Sequence, residues 1–135
     1  MSEDLQFVLH ENNIHEFIYL KSSRTAVDEL YGVFRTYLEQ DVRPEVFLLL
    51  IDARNGVIPP ISYLFKVTQE FAKAYKNIPP GHTAVLHPPN LIVSLIENFM
   101  NGLNHFITGH NTLKFFNEDQ YDEAMAWLLS KANAD

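Results

Sequence analysis

Six consecutive apolar residues, Val46-Phe47-Leu48-Leu49-Leu50-Ile51, lie in the first half of this 135-residue chain. The run does not alternate, so a strand built from it must be buried on both faces, as in a sheet covered by helices on each side. Helical patterns flank it. Ala26, Leu30, Val33, Phe34 and Tyr37 form one stripe, with Ser22 or Ser23 placed to cap it. After the loop Ala53-Arg54-Asn55-Gly56-Val57-Ile58, Pro59-Pro60 opens a second helix, striped by Ile61, Leu64, Phe65, Thr68, Phe71 and Tyr75.

The alternation continues towards the C-terminus. Thr83 to Leu86 reads as a short strand, and Asn90 as the N-cap of a third helix ending at Gly102 or Gly109. Thr112 to Phe116 reads as the last strand. Asn117 and Gln120 have the spacing of a capping box for a final helix with Tyr121, Ala124 and Leu128 inward. Ahead of all this, Leu5, Phe7 and Leu9 alternate with Gln6, Val8 and His10. Glu11-Asn12-Asn13 then turns the chain into a second strand, Ile14 to Leu20. The expectation is a single α/β domain over residues 1–135: a mostly parallel five-stranded sheet, an antiparallel N-terminal strand and four helices.

Composition narrows the function classes. Hydrophobic residues at 47% and charged residues at 20% suit a packed globule and not a disordered tract. Cysteine is absent, which removes thiolate chemistry and disulfides. Ten Lys and Arg against seventeen Asp and Glu leave a net charge of −7, which disfavours nucleic acid or an anionic membrane as partner. The longest apolar run is too short for a membrane span, and the acidic start Met1-Ser2-Glu3-Asp4 lacks a signal core; a cytoplasmic location is expected.

Several phrases carry a resemblance. They are Ile14-His15-Glu16-Phe17, Leu50-Ile51-Asp52-Ala53-Arg54, Phe115-Phe116-Asn117-Glu118-Asp119, and Glu123-Ala124-Met125-Ala126-Trp127-Leu128. In order and spacing the chain resembles the SpoIIAA-like family of the STAS fold, over nearly its whole length. The resemblance implies an α/β sandwich acting as a protein-binding module. In anti-sigma antagonists of that fold a Ser just after the third strand's Asp is phosphorylated. Here Asp52-Ala53-Arg54-Asn55-Gly56 contains no hydroxyl, so no phosphosite is expected in this loop. SpoIIAA-like proteins are also similar to lipid-transfer domains that hold apolar ligands.

Catalytic signatures are missing. The glycines, at 32, 56, 81, 102 and 109, are too scattered to grip a phosphate. His82 and His87 are five apart in or beside a strand and point to opposite faces, and His105 and His110 miss the helical i, i+4 spacing. Neither a metal site nor a cofactor is expected. The candidate ligand-binding residues lie at the carboxyl rim of the parallel strands: Asp52, Arg54 and Asn55 from one loop, His87 and Asn90 from another. Ser22, Ser23, Arg24 and Asn117 would stand beside them. Loop ties and helix caps also explain each of these residues without a substrate, with Asp52 pairing to Arg54.

A second candidate surface is apolar. In the third helix Val93, Met100 and Ile107 form the edge of an apolar arc wider than docking on a sheet requires. That edge suits a neighbouring helix, a second subunit or an apolar ligand. The leading expectation is a non-enzymatic STAS-like module that binds a protein partner or itself, as a homodimer. The alternative is a carrier of a small apolar or amphiphilic ligand, and an enzyme using the strand rim comes third.

Overall fold

A computed structural model describes residues 3–40, 44–89 and 112–132. The chain opens with a hairpin, β1 (Leu5–Leu9) and β2 (Ile14–Tyr19), paired antiparallel. Asn13 adopts a left-handed φ of 67°, and the Asn12 side chain accepts from the Ile14 N–H at 3.2 Å. These are turn roles that Asn fills with little strain. Helix α1 (Arg24–Glu39) follows, then β3 (Phe47–Asp52), α2 (Ile61–Ala74), β4 (Gly81–His87), β5 (Thr112–Asn117) and α3 (Tyr121–Ala132).

The sheet order is β1-β2-β3-β4-β5, with β2 to β5 mutually parallel. The chain is therefore α/β with a mixed five-stranded sheet and three helices among the described residues. The expected helix beginning at Asn90, with Val93, Met100 and Ile107, lies outside the described residues, as does Asn90 itself.

Strand register assigns each side chain to one of two cores. On one face Leu5, Phe17, Tyr19 and Phe47 meet Ala26, Val27, Leu30, Phe34 and Leu38 of α1 and Leu64, Val67 and Phe71 of α2. On the other, Ile14, Leu48, Leu50, Ala84, Leu86 and Phe116 meet Ala124 and Leu128 of α3. Leu48 and Leu50 point one way and Phe47 the other, so β3 is covered on both sides, as its unbroken apolar run requires. Tyrosine hydroxyls stitch α1 to α2. Tyr63 donates to Asp28 at 2.6 Å and Tyr75 to Glu39 at 2.7 Å.

The helix starts are local. Ser23 caps α1, its Oγ accepting from the Ala26 N–H at 3.1 Å and donating to Asp4 at 2.6 Å. Pro60 precedes α2 and its carbonyl accepts from the Leu64 N–H at 2.9 Å. One half of the expected capping box is present: the Asn117 N–H donates to the Gln120 side chain at 2.8 Å, although Asn117 also ends β5 and the helix itself starts at Tyr121. Gln120 in turn donates to Glu123 at 2.8 Å. The β1 alternation also fades outward: Leu5 is buried, yet Leu9 is 51% exposed.

Candidate functional site

At the carboxyl end of β3 the chain must leave the sheet, and Asp52 organises the exit. Its Oδ1 accepts from the Arg54 backbone N–H at 3.1 Å and from Nε at 2.9 Å, while Oδ2 accepts from Nη2 at 2.7 Å. The pair is bidentate, and bonding to Asp52 above all keeps the Arg54 guanidinium charged, raising its pKa. Asn55 ties the same loop on both sides. Its Nδ2 donates to the Tyr19 carbonyl at 2.8 Å, and its Oδ1 accepts from the Val57 N–H at 3.0 Å. Gly56, at a φ of +81°, completes the turn in a region other residues rarely adopt.

The guanidinium of Arg54 lies 5.2 Å above the ring of Tyr121, the first residue of α3. Tyr121 in turn donates its hydroxyl to Glu16 Oε1 at 2.9 Å, and His10 Nε2 lies 2.9 Å from that same oxygen. Glu16 is only 7% exposed and Asp52 6%. Burial, and then the hydrogen bond to Glu16, pushes the Tyr121 phenol up to about 12. The phenol therefore stays protonated as a donor at neutral pH. This chain of five side chains, His10–Glu16–Tyr121–Arg54–Asp52, joins the hairpin, the β3 exit and the start of α3.

Of the residues expected at the rim, the structure brings together Asp52, Arg54 and Asn55, and it separates them from His87. Asp52 pairs in register with Leu86, so His87, one residue on, faces the opposite side of the sheet. There its ring meets Phe115 at 6.1 Å and its Nδ1 bonds the Pro88 carbonyl at 3.0 Å. His82 faces the α3 side, with its ring 6.5 Å from Trp127. Arg24 lies over Tyr63 at 5.0 Å, on the α1–α2 side. Asn90 falls outside the described residues.

Two features weigh against a ligand crevice at this rim. The described strands follow one another in sequence order, so the sheet lacks the reversal of strand order at which open α/β sheets open a cleft. The polar groups are also spent on one another: among the described residues no buried side-chain nitrogen or oxygen lacks a hydrogen-bond partner. Among the described residues no three His, Asp or Glu side chains converge in a way that would hold a metal ion. Glu16, His10 and Tyr121 were missed as site residues. The available signal was Glu16 itself, a carboxylate between Ile14 and Ile18 on an otherwise apolar strand face.

Exposed apolar surface lies elsewhere, on the hairpin. Val8 is 45% exposed, Leu9 51% and Leu20 38%, and among the described strands β1 lies at the border of the sheet. No family model, curated protein or solved structure matches the chain. No helix among the described residues is long and apolar enough to cross a membrane.

Proposed function

We propose that this chain is a non-enzymatic STAS-like module of the SpoIIAA-like kind, which works in the cytoplasm by binding a protein partner or itself. The observation that carries the reading is the hairpin border, where Val8 and Leu9 stand exposed on a strand that has only one neighbour among the described strands. Such an edge accepts another strand through main-chain hydrogen bonds, with side chains on alternate positions adding specificity. The rim supports the same reading from the other direction. Asp52, Arg54 and Asn55 are engaged with one another and with the backbone, as loop ties require. With no hydroxyl between Asp52 and Gly56, binding is not governed by a phosphate on that loop.

The test is capture of partners by the purified chain, itself included, in three forms: wild type, Val8→Lys with Leu9→Lys, and His87→Ala. The reading expects specific capture that the hairpin double variant loses and His87→Ala retains. Capture lost only with His87→Ala, or turnover of any substrate abolished by it, would move the function to the strand rim and remove this reading.

A further inference from the structure

Two asparagines of this chain precede a glycine, Asn55 and Asn101. The second lies outside the described residues. Asn55 sits with Gly56 on the exposed loop between β3 and α2, and the pair can react with itself in water. In that reaction the backbone nitrogen of the glycine attacks the side-chain amide carbon of the asparagine. A Cβ at the second position hinders the approach, and glycine has none.

The loop geometry favours the attack in one respect. Asn55 Oδ1 accepts from the Val57 N–H at 3.0 Å, which closes a small ring containing both reacting atoms, Asn55 Cγ and the Gly56 nitrogen. The same bond aims a backbone donor at the oxygen where negative charge develops when Cγ is attacked, as an oxyanion hole does. Gly56 is also open where a Cβ would stand, with no atom within 4 Å, so water reaches the bond. Other contacts hold the reaction back. The Gly56 N–H donates to the Ala53 carbonyl at 2.9 Å, and Asn55 Nδ2, the leaving nitrogen, donates to the Tyr19 carbonyl at 2.8 Å.

We propose that Asn55–Gly56 is a self-modification site, at which the Asn55 amide converts to an acid through a succinimide and so unties the β3 exit from the end of β2. Neither the step nor its consequence depends on the protein-binding reading. When the loop opens at Ala53, hydroxide takes the Gly56 N–H proton. The nitrogen then bonds to Asn55 Cγ, the Cγ–Nδ2 bond breaks, and Nδ2 departs as ammonia with a proton from water, which restores the hydroxide. Water next opens the ring at either carbonyl. Opening at Cγ leaves an aspartyl residue, and opening at the backbone carbonyl leaves an isoaspartyl link that runs through the side chain.

Either product lacks the Nδ2 donor. The Tyr19 carbonyl loses its partner, and the new carboxylate has no proton to offer it. The added charge arises close to Asp52, whose oxygens are already committed to Arg54, in a chain of net charge −7. Asn13 and Asn77 provide an internal comparison. Both are exposed in turns, at left-handed φ of 67° and 59°, but each precedes an isoleucine, whose branched side chain blocks the same attack.

The test ages the purified chain in warm, mildly alkaline buffer, native and in urea, and maps its peptides by mass spectrometry. Position 55 should convert in the native chain, with isoaspartyl among the products and a rate proportional to hydroxide concentration. Asn13 and Asn77 should stay intact, and Asn55→Gln should not convert at that position. In urea the rate at position 55 should rise by about tenfold or more, because the Ala53 and Tyr19 carbonyls no longer hold the reacting groups. In an Asn101→Gln background, ion exchange separates the converted fraction by its added charge. That fraction should unfold at a lower urea midpoint than the unconverted one, and Asn55→Asp made directly should reproduce the shift. A native chain that stays intact at position 55 while the urea-treated chain converts overturns the proposal, since the loop is then a permanent lock. Conversion without isoaspartyl overturns the succinimide route. A converted fraction and an Asn55→Asp variant that both keep the parent's midpoint overturn the untying.

Discussion

The imidazole of His15 is 3% exposed and packed against the rings of Phe7, Phe34 and Tyr37. Its Nδ1 bonds the Asn13 carbonyl at 3.1 Å, which requires a proton there; Nε2 then accepts from the Tyr37 hydroxyl at 2.8 Å. Burial lowers its pKa below 6.5. An unfolded chain takes up the proton near 6.5, and the folded chain only at lower pH. Between those values the unfolded state holds more protons, so stability rises with pH there. The contribution is complete above 6.5 and is lost as pH falls through the folded value. Urea unfolding followed from pH 7.5 down to pH 5 (a window on the order of the His range) should show that loss, and His15→Phe should flatten it. Tyr121→Phe removes the phenol from Glu16 and should destabilise by about 1–3 kcal/mol, read as a lower denaturation midpoint. Glu16→Gln should bring the Tyr121 titration down from about 12 towards the usual phenol value, as followed by NMR of the ring carbons.

At the scale of elements, what the sequence made legible was whatever depended on neighbours along the chain. The β3 run announced its double burial because both faces are written in six adjacent residues. The Asp52–Arg54 tie was legible for the same reason, its partners being two residues apart. Tyr121 and Glu16 are 105 residues apart, and no spacing rule joins a helix's first residue to a hairpin strand. The fourth strand runs from Gly81 to His87, longer than its apolar segment, because Phe47 and Leu48 of β3 pair with Gly81 and His82 through the backbone whatever their side chains. Ser23→Ala removes the cap of α1 and its link to Asp4, and should cost about 1 kcal/mol in thermal or urea unfolding. Trp127 closes the sheet border on the α3 side: its ring is half-buried against Phe116 at 6.0 Å, with Lys131 above it at 5.5 Å. Truncating it to Ala should cost about 2 kcal/mol, less than the loss of a fully buried Trp, by the same measurement.

Across the molecule, sequential strand order puts β3 at the centre and β1 at one border. Amide exchange should therefore be slowest in Phe47–Asp52 and, within β1, faster at Phe7 and Leu9 than at Gln6 and Val8. The order of the strands has one more consequence, for synthesis. Each strand that leaves the ribosome finds its neighbour already made, and α1 and α2 cover their face as they appear. The other face waits: Leu48, Leu50, Ala84 and Leu86 meet Ala124 and Leu128 only when α3 arrives. A ribosome stalled before Tyr121 would hold Leu48, Leu50, Ala84 and Leu86 without Ala124 and Leu128, and that nascent chain is the form of this protein most in need of a chaperone.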